Sequence, residues 1–157
     1  MMPQPVSKLP LADWIQGTWS LETFTSMDDA GSVVDVMGPN VSGYISYAAD
    51  GWMSVQIMAA NRKLYDFPEI SGGKDDQLIA AATSYFAYAG RYTIDPQAAI
   101  VIHHLQFSLL PNWVGGHQTR YIERASDTVL ILSGDPAPLD GKQQVARLRW
   151  QRVRSIN

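Results

Sequence analysis

Short runs in which apolar and polar residues alternate make up most of this chain. Alternation with a period of two is typical of a β-strand that buries one of its faces. The runs are separated by brief turn sequences at 28–31, 49–51 and 134–141, which are rich in Asp, Gly and Pro. Such turns indicate antiparallel neighbours. The pattern gives eight or nine strands and predicts an all-β fold, either a closed barrel or a sandwich.

Closure favours the barrel, because only a closed sheet leaves no strand edge unpaired. An antiparallel barrel of about eight strands also has an interior wide enough to hold one small ligand. We therefore expect a ligand cavity inside the sheet rather than a flat binding surface.

One segment departs from the alternating pattern. Between about 74 and 87 the apolar residues recur at spacings of three and four, which predicts one helix inserted among the strands. The preceding residues 61–73 contain a proline and two glycines and predict a loop. Loop and helix together would form either a lid over one barrel mouth or a plug, and the pattern leaves both open.

All three histidines lie in segment 99–124, which reads as two strands around a turn rich in Pro, Asn and Gly. Because side chains alternate between faces, the more apolar face of the first strand carries a single histidine. That face consists of Val101, His103, Leu105, Phe107 and Leu109. On the returning strand Gln118 and Arg120 share a face. If these faces line the interior, His103, Gln118 and Arg120 are the polar groups of an apolar cavity.

His103 is the sharpest candidate for chemistry in this segment. Burial disfavours the charged imidazolium and lowers the pKa of a histidine, so His103 is expected to be a neutral base at pH 7. Gln118 and Arg120 would orient and polarise a substrate carbonyl. Tyr92 would donate to a ligand oxygen. We predict His103, Arg120, Gln118 and Tyr92 as catalytic residues.

A structural interpretation competes with each of these roles. His103 would then be a core histidine whose ring nitrogens are satisfied by Tyr92 or Gln118. Arg120 would form an ordinary salt bridge, for example with Glu22 or Glu123. The sequence leaves both interpretations open.

Five further residues are predicted to contact the ligand through apolar or aromatic surface: Tyr44, Tyr88, Leu105, Phe107 and Trp113. Tyr88 and Tyr92 share a strand face with Gly90, whose missing side chain leaves room against the wall. These assignments depend on unbroken alternation. A bulge between His103 and Ser108 would turn the later residues to the opposite face.

Composition narrows the class of function. The 157 residues suffice for one domain with a sizeable core, and a net charge of −3 without a basic block argues against a nucleic-acid partner. The chain has no cysteine and no apolar run long enough to span a bilayer. Adjacent histidines on one strand point apart, so we predict no metal site, and no motif indicates a cofactor. We expect a cytoplasmic protein, either a monomer or a homodimer.

The ordered motifs along the chain resemble those of the lipocalin-like domain proteins of bacteria and fungi, a group related to the lipocalins. The resemblance begins with Gly17-Thr18-Trp19, continues through the segments at 43–47, 50–55 and 88–92, and is most specific at 101–120. It covers residues 14–153 and leaves 1–13 as an N-terminal arm. It implies a β-barrel in which Trp19 closes one end, with Arg149 or Arg152 stacked on its ring.

Two functions of different classes follow. The family often occurs in biosynthetic settings, and this resemblance, with the polar trio, favours a cofactor-independent cyclase or isomerase of secondary metabolism. His103 would transfer a proton in a polyketide- or terpenoid-type substrate. The alternative is a non-catalytic binder or carrier of a small apolar ligand, in which the same residues only fix the orientation of the ligand.

Overall fold

The chain folds into an antiparallel β-barrel, described here for residues 9–156 of a computed structural model. Two short helices and one 3₁₀ turn interrupt the strands. In chain order the elements are α1 Leu11–Trp14, β1 Gly17–Asp28, β2 Val33–Asp35, β3 Ser42–Tyr47, β4 Trp52–Met58, α2 Asp75–Thr83, β5 Tyr85–Asp95, β6 Ile100–Ser108, the 3₁₀ turn Pro111–Trp113, β7 His117–Ser126, β8 Val129–Ser133, β9 Ala137–Leu139 and β10 Lys142–Arg152.

The strands form one ten-stranded sheet in the order β2-β1-β3-β4-β5-β6-β7-β8-β10-β9. An additional pairing between β1 and β10 closes the sheet, so that eight of these strands form the barrel. The short strands β2 and β9 are additional to these eight: β2 pairs with the last part of β1, and β9 pairs with the first part of β10. The predicted antiparallel barrel of about eight strands, with one inserted helix, is therefore confirmed.

The inserted helix is shorter than the predicted span of about 74–87. α2 ends at Thr83, and Tyr85 and Phe86 already pair with Met58 and Ile57 of β4. The apolar residues after Thr83 fit a helical spacing, but hydrogen bonding to the edge of β4 outweighs that local preference.

A cluster of aromatic rings and two arginines, Arg124 over Trp14 and Arg152 over Trp19, closes one end of the barrel. Trp14 and Trp19 are fully buried and pack edge to face, with 5.0 Å between their ring centroids. The Arg152 guanidinium lies 4.0 Å from the centroid of the Trp19 ring and donates to the backbone carbonyls of Gln16 and Trp14. Of the two arginines expected to stack on Trp19, Arg152 does so. Arg149 instead forms an exposed ion pair with Glu22.

A β-bulge between β5 and β6 breaks the expected alternation. Gly90 pairs with Leu105, whereas the preceding Ala89 pairs with Phe107, so one residue of β6 is left over. A Cβ atom on Gly90 would lie 1.9 Å from the carbonyl oxygen of His104, so only glycine fits at this close approach. The prediction that Phe107 faces the interior is wrong: its side chain is 65% exposed, while Leu105 is buried.

The predicted arm of residues 1–13 falls only partly within the described residues. Residues 1–8 of the predicted arm lie outside them, and α1 crosses the predicted boundary at residue 13. Among residues 9–156, no helix has both the length and the apolar character needed to traverse a bilayer.

Candidate functional site

A cavity of about 820 Å³ occupies the part of the barrel away from the Trp14–Trp19 cluster. Phe24, in the second half of β1, lines it, whereas Trp19 in the first half does not. Apolar and aromatic side chains predominate in its wall, among them Phe24, Ile45, Val55, Ile57, Tyr85, Phe86, Leu109, Leu110, Trp113, Leu132, Leu148 and Trp150. The polar side chains on the wall include Tyr88, His103, Gln118, Thr119 and Arg120.

His103 is fully buried, and both of its ring nitrogens are hydrogen-bonded. Its Nε2 atom lies 2.7 Å from the Tyr47 hydroxyl oxygen, and its Nδ1 atom lies 2.7 Å from the Tyr88 hydroxyl oxygen. Tyr47 reaches it from β3 and Tyr88 from β5, so the three rings connect three strands of the barrel. A neutral imidazole, with one donor and one acceptor nitrogen, matches two hydroxyl partners.

Electrostatics keeps all three groups uncharged. Burial, with a smaller contribution from the positive charge of Arg120, lowers the pKa of His103 from 6.5 to about 3. Burial likewise raises the pKa of the Tyr47 and Tyr88 hydroxyls, while the charge of Arg120 opposes the rise at Tyr88. The expectation that His103 is neutral at pH 7 agrees with this environment. Its satisfied nitrogens match the structural interpretation, although with partners other than Tyr92 or Gln118.

Arg120 and Gln118 lie on the cavity wall as predicted. Gln118 is directly opposite His103 in the β6–β7 pairing, and the Arg120 guanidinium donates to the Gln118 side-chain oxygen at 3.4 Å. Arg120 also donates to the Thr119 carbonyl at 3.0 Å. Within residues 9–156, Arg120 forms no ion pair with a carboxylate; Glu22 and Glu123, the partners suggested by the sequence, pair with Arg149 and Arg147 instead. Arg120 thus places a positive charge on a wall that is mostly apolar and that also includes Asp135.

The aromatic part of the wall is built by β5 and the 3₁₀ turn. Trp113 packs edge to face against Phe86, with 5.4 Å between centroids, and against Tyr88 at 6.0 Å. Pro111 begins the turn that places Trp113 there. The predicted ligand contacts Tyr88 and Trp113 therefore lie together on the cavity wall.

Trp150, on β10, lines the same cavity and carries a buried donor. Its side chain is 1% exposed, and its indole Nε1 has no hydrogen-bond acceptor among the described residues. A buried N–H without an acceptor costs free energy unless another group accepts from it. Nothing in the alternating pattern of β10 indicates that the N–H of Trp150 would be unpaired.

Three other predicted site residues do not line the cavity. Tyr44 is 41% exposed, because Ile45 and Tyr47 take the inward positions of β3. The Tyr92 hydroxyl donates to the Ala48 carbonyl at 2.7 Å, and its ring packs against Tyr47. Leu105 belongs to the core. The predicted cavity positions of Tyr44, Tyr92 and Phe107 are therefore corrected, whereas Leu105 is buried on the inward face as predicted but lies in the core rather than on the cavity wall.

Helix α2 borders the cavity only with its last residues. Ala82 and Thr83 lie on the wall, whereas Ile79 is exposed, so the helix does not fill the barrel. Arg62, in the preceding loop, joins loop and helix: it donates to the Ser84 hydroxyl at 2.9 Å and to the Ala81 carbonyl at 3.1 Å. The loop is thus anchored at the rim of the cavity.

The adjacent histidine, His104, points to the outer face and lies 3.0 Å from the Thr93 hydroxyl. Over the described range, no three His, Asp or Glu side chains converge in a way that would hold a metal ion.

Comparison with known proteins identifies the family of this chain. A family model described as a lipocalin-like domain matches residues 16–153. The 4'-hydroxy-3'-methoxypropiophenone carrier protein of Aspergillus oryzae is 30% identical over 107 residues, which cover 64% of this chain and 96% of that protein. Among solved structures, a redesigned β-barrel has 15% identity and a TM-score of 0.43, over 94% of this chain and 99% of the other. The chain belongs to the lipocalin-like domain family.

Proposed function

We propose that this protein is a carrier that binds a small aromatic molecule bearing an acceptor oxygen inside its barrel. The volume of about 820 Å³ is in the range of small-molecule sites. Flat rings such as Phe86 and Trp113 on the wall suit an aromatic ligand, which packs on them edge to face or offset.

The observation that carries the proposal is the Trp150 indole N–H. Trp150 lines the cavity, and its indole N–H is buried without an acceptor among residues 9–156. An unsatisfied buried donor costs about 1–3 kcal/mol, which a ligand oxygen would recover. The relative from Aspergillus oryzae is named as the carrier of an aromatic ketone with hydroxy and methoxy groups, and we extend that class of cargo to this chain.

The hydrogen bonds of His103 favour the carrier over the cyclase or isomerase expected from the sequence. Both ring nitrogens are engaged by tyrosine hydroxyls, so neither is free to take a proton from a ligand directly. A catalytic role remains a second candidate, because the bonded chain reaches the cavity at Tyr88 beside the charge of Arg120. In that role Tyr88 would contact the ligand, and His103 would act through the Tyr88 hydroxyl.

Binding is tested by titrating the purified protein with 4'-hydroxy-3'-methoxypropiophenone and following heat by calorimetry. We expect saturable one-to-one binding. Trp150→Phe should weaken it several-fold, because one hydrogen bond is lost. The matched control is Trp52→Phe, which removes an indole that does not line the cavity and should bind like the parent. Absence of saturable binding would overturn the proposal.

A second assay separates carrier from enzyme. The ketone is incubated with the protein in D₂O, and exchange of the protons next to its carbonyl is followed by proton NMR. A carrier leaves the exchange rate at the level measured without protein. Exchange accelerated by the parent and abolished in Tyr88→Phe would instead establish proton transfer at this site.

A further inference from the structure

The chain of hydrogen bonds from Tyr47 through His103 to Tyr88 has two unlike ends. Tyr88 lines the cavity, whereas Tyr47 does not and is 1% exposed. Within the described part of the chain, the Tyr47 hydroxyl has no hydrogen-bond partner other than His103. The hydroxyl at one end is therefore enclosed by protein, and the hydroxyl at the other end borders the space where a ligand would lie.

This asymmetry decides which nitrogen of His103 carries the proton. If Nε2 carried it, Nε2 would donate to Tyr47, and the hydroxyl hydrogen of Tyr47 would be buried without an acceptor. If Nδ1 carries it, Tyr47 donates to Nε2 and Nδ1 donates to Tyr88, and the hydrogen left without a protein acceptor is that of Tyr88, which borders the cavity and can bond to a molecule there. The cost of a buried unsatisfied donor favours the second tautomer by a factor of roughly ten to a hundred.

We propose that the chain runs in one direction, from Tyr47 to His103 to Tyr88, and that it presents the Tyr88 hydroxyl hydrogen to the cavity as a donor for a ligand carbonyl oxygen. Tyr88 accepts from Nδ1, so its own hydrogen is left for the ligand. Arg120 lies beside it as a second donor and a source of positive potential. This inference rests on the proposed ligand binding and names the ligand group that is recognised.

The arrangement selects ligands by their acceptors. A carbonyl oxygen accepts the hydrogen of Tyr88 and is also attracted by the positive charge of the nearby guanidinium. Both interactions are stronger where a bound ligand excludes water. A ligand of the same shape without that oxygen leaves the Tyr88 hydrogen unpaired. Tyr47 never meets the ligand in this scheme; it is a positioning residue that holds Nε2 unprotonated.

The direction of the chain is measurable without any ligand. Protein labelled with ¹⁵N-histidine is examined by long-range proton–nitrogen NMR, which distinguishes a protonated ring nitrogen from a bare one. The His103 signals are identified by their loss in His103→Gln. We expect Nδ1 protonated and Nε2 bare at pH 7, and a mixture of tautomers in Tyr47→Phe. A protonated Nε2 in the parent overturns the proposal, and an unchanged pattern in Tyr47→Phe removes Tyr47 from it.

Ligand selection is tested with two probes that differ by one oxygen: 4'-hydroxy-3'-methoxypropiophenone and 2-methoxy-4-propylphenol, in which a methylene replaces the carbonyl. We expect the parent to prefer the ketone about tenfold, the preference to vanish in Tyr88→Phe, and Tyr92→Phe to keep it. Tyr92→Phe is the matched control because that hydroxyl bonds Ala48 outside the cavity wall.

The outcomes separate this inference from the proposed function. Equal affinity of the parent for the two probes overturns the donor role of Tyr88 and leaves ligand binding intact. Binding of neither probe overturns the proposed function, and the carbonyl selection with it. A ketone preference that survives in Tyr88→Phe assigns recognition to another donor and overturns the inference.

Discussion

Acidification should destabilise the barrel through His103 well above the pH at which the imidazole is protonated in the native state. The folded protein keeps this ring neutral because burial lowers its pKa from 6.5 to about 3. The unfolded chain binds a proton at His103 below about pH 6.5. Between these values the unfolded state holds one more proton than the native state, so the free energy of unfolding falls as the pH falls.

The size of the effect follows from the two pKa values. One pH unit corresponds to about 1.4 kcal/mol per proton. The contribution of His103 is complete above about pH 6.5 and is lost progressively down to about pH 3, for a total of about 5 kcal/mol. At pH 4.5, two units below the unfolded value, the loss is about 3 kcal/mol.

The matched comparison is His103→Gln, which retains a donor and an acceptor but does not titrate. Urea unfolding of both proteins is measured at intervals from pH 7.5 to 4.5. The exposed histidines and the carboxylates are common to both and cancel in the difference. The difference in unfolding free energy should be constant above pH 6.5 and should then change by about 3 kcal/mol by pH 4.5. A difference that stays flat over the whole range refutes the buried, neutral imidazole.

Three further outcomes are expected. Gly90→Ala should lower the free energy of unfolding by about 2–3 kcal/mol, because the added Cβ meets the His104 carbonyl at 1.9 Å; an unchanged urea midpoint would contradict the tight bulge. Arg152→Ala should cost about 2–4 kcal/mol in urea unfolding, since it removes a stacked cation and leaves buried carbonyls unpaired, whereas Arg149→Ala should cost less than about 1 kcal/mol; equal losses would refute this distinction. Trp113→Ala should weaken binding of the aromatic ketone about tenfold in the calorimetric titration, and unchanged affinity would exclude this wall as a contact.

The strand pattern predicted the barrel and much of the site because both depend on period and pairing. His103, Gln118 and Arg120 meet at the cavity because β6 and β7 are consecutive strands that pair with each other, so the faces predicted from alternation lie side by side. The same reasoning placed Tyr88 on the wall. Local pattern suffices where neighbours in sequence are also neighbours in the sheet.

The strand pattern did not predict two features, for physical reasons. It named the consequence of a bulge between His103 and Ser108 but gave no sign that the bulge is present. The bulge at Gly90 arises from the close approach of two backbones, which alternation within a single strand does not reveal. Tyr47 was missed because both faces of β3 carry a tyrosine. Its pairing with β4 carried the missing signal: Ile45 and Tyr47 stand opposite Val55 and Met53, the apolar face of that strand. Reading β3 and β4 together would have turned Tyr44 outward and Tyr47 inward.

The cluster of Trp14, Trp19 and arginine side chains that seals one end of the barrel lies apart from the cavity wall that would contact a ligand. Trp19 and Arg152 border no part of the cavity, and Phe86 and Trp113 at the cavity take no part in the seal. Mutational tolerance should therefore differ sharply between the two halves of the molecule. Substitutions of the cavity rings can change the preferred ligand while the closed end keeps the barrel folded. Such a scaffold can diversify its ligands, and a library designed to bind a new ligand is best built on the cavity residues.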